Sequence, residues 1–444
     1  MKRAASTFVA CIAAMCLASA CSGKAGVPRN LILVSLDTVG AKHLSSYGHT
    51  RPTSPSLDAF AAEGVRFTNV IAPAPWTLPS HASMLTGLYP GQHGVQTLQH
   101  KLGEDIPSLG SILGSEGFHT VAVVNCLFLA KSFGLAHGFS KYELIPADES
   151  SAGAAGRVTD RAIELLEGQG ERRAFLFLHY FDVHSDYRSE APYEEMFEVD
   201  GSSVSRETFA LARVVRGEVV LSPTEVDQLE RLYDAGIRQL DDELARLFAR
   251  LEAGGWLNDS LVVITADHGE EFMEHGLILH GATHYREMLR VPLILRGPSL
   301  PKGVTVETPV SLVDIVPTVL SLLELPPAVE TAGVDLRRLW EAPDEPMAKR
   351  WIFAEGGPGF KVSTLRSVQD DRYKLIVDMA TDRRELYDFI NDPGETRNLA
   401  AERPALQREL YEALDPILGS DREVRPAPRL TPEEEAQLRG LGYL

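Results

Sequence analysis

The chain has 444 residues, 44% of them hydrophobic, which is enough for one large domain and a smaller one. A formal net charge of −19 excludes general electrostatic attraction to nucleic acid, so an anionic ligand would need cations supplied locally. The cysteines exclude a disulfide framework, because Cys11, Cys16 and Cys21 lie near the N-terminus and Cys126 stands alone in the body of the chain.

The N-terminus has the pattern of a signal peptide, residues 1–20. Lys2 and Arg3 precede an apolar run over 7–20, which is too short to span a membrane. The run LASAC, ending at Cys21, resembles a bacterial lipoprotein box, with Cys21 as the lipidated mature N-terminus. The sequence ASA before Cys21 also fits ordinary signal peptidase. We expect an exported cell-envelope protein, periplasmic or at the cell surface, anchored to the membrane by lipid.

Alternating strand and helix patterns predict an α/β fold. Strand-like runs at 30–37, 120–124, 174–180, 261–266 and 291–295 are separated by helical patterns, such as the amphipathic run 223–252. This alternation predicts a mostly parallel sheet sandwiched between helices, in a catalytic domain over 28–340.

A second, smaller unit is expected after the proline- and acid-rich segment 341–346. Short strand patterns at 351–355, 365–367 and 373–377 precede a helical pattern at 404–418. They predict a C-terminal antiparallel sheet with one helix, over 347–444.

Acidic side chains follow two of the predicted strands. Asp37 ends the first, and Asp267 and His268 follow the run 260–266. Ligand sites of open α/β sheets lie beyond the carboxyl ends of the strands, so these side chains should converge. Two carboxylates, an imidazole and an open position suit Zn²⁺ or Mn²⁺ better than an all-oxygen Ca²⁺ cage. A carboxylate that merely orients a core histidine is the alternative.

Thr77 precedes a helical pattern, SHASMLTG, with Pro79 in its first turn. The Thr77 hydroxyl would then lie at a helix N-terminus, where free N–H groups and the helix dipole favour an anion. A hydroxyl at such a site suits the nucleophile of a phosphoryl- or sulfuryl-transfer enzyme. The alternative is that Thr77 serves only as a helix N-cap.

Longer motifs run along the chain: SLDTVGAKHLSSYGHTRP, WTLPSHASMLTGLYPGQHG, FLFLHYFDVHSDY, TADHGEEFMEHG with YREMLRVPLI, VSLVDIVPTVLSLLELP, RYKLI and RRELYDFINDPGETRNLA. Together they resemble the sulfatase family of the alkaline phosphatase superfamily, over nearly all of the mature chain. The resemblance implies that family's fold, and a metal site formed by Asp37, Thr77, Asp267 and His268. It also implies that His184 contacts the substrate.

The chain departs from formylglycine sulfatases at several positions. Thr77 replaces the Cys or Ser that becomes formylglycine, His81 replaces an Arg, and Thr38 replaces a second Asp. The sulfatase Lys and His are missing from 124–127, which reads VNCL. The threonine motif instead resembles nucleotide pyrophosphatase/phosphodiesterases, and His280-Gly281 resembles phosphoethanolamine and lipoteichoic-acid transferases. The fold and metal site are therefore expected to carry over, without formylglycine.

These observations predict a metal-dependent hydrolase of sulfate or phosphate esters, with phosphodiester, phosphomonoester or phosphonate favoured by a covalent Thr77 intermediate. His184, His280 and the N–H groups after Thr77 are expected to serve the transferred group. His81 could act in the site or support it from behind, and a role in the site is favoured. One Zn²⁺ or Mn²⁺ is favoured, with Ca²⁺ or Mg²⁺ as alternatives. A second metal at Asp182, His184 and His280 stays open.

Two other functions compete with hydrolysis. One is transfer of a phospho head group onto the cell envelope; the other is non-catalytic binding on a relict sulfatase fold. The substrate class is a small-molecule, lipid or polysaccharide ester, and neither its identity nor the oligomeric state follows from the sequence. His179 could have either a site role or a structural one, and His275 could be a metal ligand or support one, whereas His93 is expected to be structural.

Overall fold

The computed structural model describes residues 26–146, 154–168, 170, 172–200, 204–327, 331–345, 348–357, 359–419 and 422–427, together with 431, 432, 435 and 438. The predicted signal segment and Cys21 lie outside the described residues. No helix within these ranges is long and apolar enough to cross a membrane.

The strands of the described chain follow one another as β1 (Asn30–Leu36), β2 (Val65–Ile71), β3 (His100–Lys101), β4 (His119–Val124), β5 (Lys141–Leu144), β6 (Ala174–Tyr180), β7 (Ser260–Ala266), β8 (Glu271–Phe272), β9 (Ile278–Leu279), β10 (Arg290–Arg296), β11 (Val304–Val306), β12 (Val310–Ser311), β13 (Ile352–Gly356), β14 (Leu365–Gln369), β15 (Tyr373–Asp378), β16 (Arg383–Asp388) and β17 (Arg425–Pro426). Most of them belong to two sheets, one large and one small.

The large sheet has the strand order β11-β2-β10-β7-β1-β6-β4-β5, with β12 also paired to β2. Strand β1 is parallel to both neighbours, β6 and β7, and β4 is parallel to β5 and β6. Strand β10 runs antiparallel to both β7 and β2. The predicted fold class, a mostly parallel sheet between helices, is confirmed.

The register of the central strands aligns their carboxyl ends. Leu36, the last residue of β1, pairs with Tyr180 of β6 on one side and with Ala266 of β7 on the other. The residues that follow β1 and β7, Asp37 and Asp267, therefore leave the sheet side by side. Strands β1, β6 and β7 have seven residues each, and all of these residues are buried, as expected for strands covered on both faces.

The α-helices of the described chain are α1 (Pro55–Ala62), α2 (Thr77–Thr86), α3 (Pro90–His93), α4 (Leu109–Ser115), α5 (Ala154–Glu167), α6 (Tyr193–Met196), α7 (Thr208–Val215), α8 (Pro223–Ala253), α9 (Arg286–Leu289), α10 (Ile315–Leu322), α11 (Arg338–Glu341), α12 (Pro404–Glu412) and α13 (Asp415–Leu418). Helix α8 matches the run predicted at 223–252. It begins with a capping box, in which Ser222 and Glu225 satisfy each other's backbone N–H groups.

The small sheet is antiparallel, in the order β13-β14-β15-β16. Strand β16 is an addition to the predicted strands, and the helix predicted at 404–418 is in fact two. Helix α12 ends at Glu412 and α13 begins at Asp415, because Pro416 lacks the N–H needed to continue a helix. The sheet's apolar cluster includes Tyr89 and Val313, so the small sheet packs on the first part of the chain. The division into 28–340 and 347–444 stays a prediction.

Candidate active site

Helix α2 places Thr77 at its first position, next to the end of strand β7. The N-cap residue is Trp76, so Thr77 is not the N-cap. The Ser80 hydroxyl donates a hydrogen bond of 2.6 Å to the backbone oxygen of Asp267, which ties the first turn of the helix to the strand end. Thr77 is fully buried, and its Oγ1 lies 3.5 Å from Nε2 of His268.

Asp37, Asp267 and His268 converge as the sheet geometry predicts. One ligand atom from each lies within 4.8 Å of the others, and all three side chains are fully buried. The backbone N–H groups of Thr38 and His268 donate to Oδ1 of Asp267, at 3.2 and 3.0 Å. Oδ1 of Asp37 and Oδ2 of Asp267 have no hydrogen-bond partner. Two buried orphan carboxylate oxygens beside an imidazole fit a divalent metal ion.

The tautomer of His268 follows from its contacts. Its Nδ1 lies 2.9 Å from the carbonyl oxygen of Gly269, which can only accept, so Nδ1 carries the proton. Nε2 is then the unprotonated nitrogen, on the side of Thr77. This pattern, with the second ring nitrogen bonded to a carbonyl, is typical of metal-ligating histidines.

Burial sets the electrostatics of the site. Loss of solvation raises the pKa of Asp37 to about 7, with His268 opposing and Glu270 adding to the shift. Burial likewise raises the pKa of Glu270 to about 8. Grouping acids without solvent is costly, and a bound divalent cation would offset that cost.

Two further histidines form hydrogen bonds with Asp37 and with the backbone of Thr77. His179 Nε2 lies 2.9 Å from Oδ2 of Asp37. His81 Nδ1 donates to the backbone oxygen of Thr77 at 2.8 Å, and its Nε2 accepts from the Ser35 hydroxyl at 2.9 Å. Both nitrogens of His81 are thus engaged by the protein, in a position to orient Thr77.

His184 and His280 lie together on the other side of the metal-site residues. Their ring centroids are 4.8 Å apart, and the His280 ring lies 4.7 Å from that of His268. His184 stacks on Phe181, with a centroid separation of 4.2 Å. Burial lowers the pKa of His280 to about 4 and that of His184 well below its usual value, so both rings are neutral at pH 7.

Thr38, which replaces the second sulfatase carboxylate, is held in a left-handed conformation with φ of 59°. The Thr38 hydroxyl donates to the carbonyl oxygen of Asp37 at 2.8 Å, and the Tyr233 hydroxyl donates to the carbonyl oxygen of Thr38 at 2.5 Å. The Thr38 side chain is therefore bonded to the backbone.

Asp182 was a candidate ligand for a second metal ion. Its carboxylate accepts a hydrogen bond from the N–H of Ala155, and the candidate metal groups found in the described chain do not include it.

Sequence reasoning missed two contributors to the site. Glu270 lies within the DHGEE run, and its carboxylate oxygens are 3.2 and 3.3 Å from Nδ1 of His280. Its position two residues after His268, in the same motif, could have identified Glu270 as a residue of the site. Phe360 comes from the loop between β13 and β14, with its ring 5.4 Å from Trp76 and 5.8 Å from His280. No pattern in the sequence links Phe360 to these residues.

Two other histidines considered in the sequence, His93 and His275, make contacts elsewhere. His93 Nε2 lies 2.9 Å from the Ser83 hydroxyl, within the packing of α2 against α3. His275 contacts Glu287, and its ligand atom lies within 4.8 Å of those of Glu287 and Glu271, in a group that shares no residue with the metal-site residues above.

Residues 29–325 match the family model of sulfatases, and residues 274–418 match the model of the C-terminal region of N-sulphoglucosamine sulphohydrolase. The chain is 26% identical over 415 residues to the uncharacterized sulfatase YidJ of Escherichia coli, covering 83% of this chain and 82% of that protein. It is 24% identical over 418 residues to the Delta 4,5-hexuronate-2-O-sulfatase of Bacteroides thetaiotaomicron, covering 84% of each.

Solved structures share the fold. A protein solved in complex with its substrate D-glucosamine-2-N,6-O-disulfate superposes with a TM-score of 0.76 at 20% identity, over 91% of this chain and 100% of that one. The phosphonate monoester hydrolase of Agrobacterium radiobacter superposes with a TM-score of 0.73 at 20% identity, over 89% of this chain and 96% of that one.

Proposed function

The chain belongs to the sulfatase family of ester hydrolases, and we propose that it cleaves phosphate esters, phosphodiesters or phosphonate monoesters above all, with Thr77 as the nucleophile. One observation carries the proposal. The Thr77 hydroxyl lies at the start of a buried helix, 3.5 Å from Nε2 of His268, and His268 forms a group of potential metal ligands with Asp37 and Asp267.

The donor set suits one transition-metal ion. Asp37, Asp267, His268 and the Thr77 hydroxyl would hold it, and Zn²⁺ or Mn²⁺ fits two carboxylates and an imidazole. When bound, such an ion supplies Lewis-acid chemistry, which lowers the pKa of a hydroxyl and polarises a phosphoryl oxygen.

Thr77 supplies the attacking oxygen, and water exchanges the protons. The Thr77 hydroxyl loses its proton to solvent, and its oxygen forms a bond to phosphorus as the bond to the leaving alcohol breaks. The leaving oxygen takes a proton from water. A second water then attacks the phosphothreonine, releases the phosphoryl product and returns a proton to Thr77.

Orientation is the task of His81. Its hydrogen bond to the Thr77 carbonyl and its anchor on Ser35 hold the first turn of α2 in place. We assign His81 this positioning role because both of its nitrogens are engaged within the protein.

His184 and His280 are placed to bind the transferred group. The carboxylate oxygens of Glu270 lie 3.2 and 3.3 Å from Nδ1 of His280 and hold its ring in place. With its proton on Nε2, His280 offers an N–H donor to a phosphoryl oxygen. The ring of His184 lies next to it.

The charge of the site favours a singly charged ester. A divalent ion balances the two carboxylates Asp37 and Asp267, and the neighbouring histidines His81, His179 and His280 have pKa values lowered to about 4. A phosphomonoester carries about two negative charges at neutral pH, for which this set provides no excess cation. Phosphodiesters and phosphonate monoesters carry one.

Sulfate monoesters also carry one charge, and two relatives are named as sulfatases. The nucleophile separates the two chemistries. Threonine stands where the family places the Cys or Ser that becomes formylglycine, and a threonine hydroxyl can attack phosphorus directly. We therefore place sulfate esters second, as slower substrates.

The test uses the full chain, reconstituted separately with Zn²⁺ and Mn²⁺. Substrates are bis(nitrophenyl) phosphate, nitrophenyl phenylphosphonate, nitrophenyl phosphate and nitrophenyl sulfate. Thr77→Ala should lose a thousand-fold or more in kcat, roughly as other nucleophile deletions do, while Thr77→Ser keeps partial activity. Rapid quenching and peptide mass analysis should find the phosphoryl group on Thr77.

Thr86→Ala is the matched control, because Thr86 lies at the other end of α2, where its hydroxyl donates to the Ala82 carbonyl and accepts from the N–H of Leu88. It should turn over normally. Near-normal turnover by Thr77→Ala, or faster cleavage of the sulfate ester than of the diester, contradicts the proposal. Product analysis with added alcohols separates hydrolysis from transfer.

A further inference from the structure

A second group of potential metal ligands lies outside the site described above. It consists of Glu271 on β8, His275 in the following turn and Glu287 on α9, and is called here the Glu271 cluster. One ligand atom from each lies within 4.8 Å of the others. Glu271 is fully buried, and Glu287 is 8% exposed.

The carboxylate of Glu271 is buried without a hydrogen-bond donor. Neither carboxylate oxygen has a hydrogen-bond partner, although both are buried. Two lysines of the region are engaged elsewhere: Lys42 forms an ion pair with Glu274, and Lys374 with Glu395 at 2.7 Å. Burying a carboxylate without a partner is costly, and a cation bound beside Glu271 would offset that cost.

His275 has the geometry of a metal ligand. Its Nε2 lies 3.2 Å from the carbonyl oxygen of Glu395, which can only accept, so Nε2 carries the proton. Nδ1 faces Oε1 of Glu287 in very close contact. A positive charge must lie between these two atoms, carried either by a proton on Nδ1 or by a metal ion.

The ring of His275 is fixed by its surroundings. It stacks on Tyr285 with a centroid separation of 3.5 Å and an interplanar angle of 10°. A histidine held by a carbonyl on one nitrogen, with the other facing carboxylates, is the usual arrangement around a bound metal ion.

We propose that the Glu271 cluster binds a second divalent ion, through Glu271, Glu287 and Nδ1 of His275. Two carboxylates and one imidazole suit Zn²⁺ or Mn²⁺, with water in the open position. The ion links the turn after the DHGEE run to α9. Because His275 also binds the Glu395 carbonyl, it further secures the small sheet against the large one.

Closeness of potential ligands is not by itself the reason for the proposal, as another group in the described chain illustrates. His43, His49 and Asp234 also lie close enough to hold an ion. There, however, Asp234 is hydrogen-bonded by both histidines and by Arg51, at 2.9, 2.9 and 2.7 Å. Its carboxylate already has a full set of donors and a permanent cation, so no metal ion is needed.

The test counts metal ions in the intact protein. Wild-type chain and variants are stripped with chelator, saturated with Zn²⁺, desalted and measured by elemental analysis and native mass spectrometry. Wild type should retain two ions per chain. Asp267→Asn, which removes a ligand of the first site, should retain one, and Asp267→Asn with Glu271→Gln should retain none.

Glu271→Gln alone should retain one ion, whereas Glu274→Gln, a control that removes a carboxylate from the same turn, should retain two. An Asp267→Asn protein that binds no ion overturns the proposal, and so does a wild-type chain whose single ion is lost in Asp267→Asn; a proton then bridges His275 and Glu287. These two readings do not depend on the folding of Glu271→Gln. Turnover plays no part in them, so failure of the Thr77 mechanism would leave this test intact.

Discussion

His179 donates a hydrogen bond from Nε2 to Oδ2 of Asp37 at 2.9 Å, while Oδ1 of the same carboxylate has no partner. The donor is itself held in place, because the backbone N–H of Asn125 donates to His179 Nδ1 at 3.4 Å. This chain of contacts fixes the rotation of the Asp37 carboxylate and keeps one oxygen available next to Asp267 and His268. Such support of a ligand governs metal affinity as much as the ligand itself.

His179→Gln should therefore weaken metal binding at the active site by about 10- to 100-fold, as is typical for the loss of such a support. Titration of metal-free protein with Zn²⁺ in a competing chelator measures the change. His93→Gln is the control, because His93 is another buried histidine but bonds to Ser83 on the far part of α2. Equal metal affinity in the two variants would show that His179 does not support Asp37.

Phe360→Ala should lower kcat/KM by roughly 10- to 100-fold, with metal content unchanged. The Phe360 ring packs against Trp76, the residue before Thr77, and against His280. Its removal opens a path for water and loosens both neighbours. Steady-state kinetics with the phosphodiester measure the loss, and Phe360→Leu should recover most of it. Unchanged kinetics in Phe360→Ala would mean that the loop only covers the site.

Asp234→Ala should destabilise the fold by about 3 kcal/mol or more, because it leaves Arg51 and two histidines without their shared buried partner. Chemical denaturation measures the free energy of unfolding. Asp242→Asn, on the same helix but half exposed, should change it by less than about 1 kcal/mol. A small effect at Asp234 would mean that α8 holds the loop after β1 by apolar contacts alone.

The same carboxylate predicts a pH dependence of stability. Burial by itself raises the pKa of Asp234, but the hydrogen bonds from His43 and His49 outweigh it and hold the pKa well below its usual value. The stabilisation is therefore complete above the unfolded pKa of about 3.9, and is lost as the pH falls toward the folded value. The stability difference between wild type and Asp234→Asn should shrink below about pH 4. A difference that is constant in acid would contradict this.

Cys21→Ser should release the protein from the membrane fraction of the expressing bacterium, if the LASAC run is a lipoprotein signal. Labelling with a fatty-acid analogue checks the same point, and should mark the wild-type protein alone. Cys16→Ser, within the predicted signal peptide, serves as the control and should stay membrane-bound. A wild-type protein that is already soluble after export would show cleavage by ordinary signal peptidase.

Several elements could be predicted from the sequence because the information in them is local. The strand predicted at 174–180 coincides with β6, and the helix predicted at 223–252 with α8, apart from one residue at its end. Continuous apolar runs and capping residues mark such elements directly. Strand β2 was not predicted, since Arg66, Thr68 and Asn69 interrupt its apolar pattern.

The convergence of Asp37, Asp267 and His268 was also within reach of the sequence, because parallel strands align their carboxyl ends. The catalytic and metal-binding roles of these residues, and of Thr77, His184 and His280, stay predictions. Family membership followed from motifs along the chain, which the match over residues 29–325 confirms.

Only the tertiary structure decided which hydrogen bonds and contacts the side chains around the site make. His81 turns both nitrogens to the protein, Thr38 bonds to the carbonyl of Asp37, and Phe360 reaches the site from a sheet that is far away in sequence. The orphan oxygens of Glu271 likewise appear only once β8 and α9 pack together. Residue type and local periodicity determine which elements form, whereas hydrogen-bond partners depend on contacts between distant segments, whose geometry emerges only when the sheets and helices are packed.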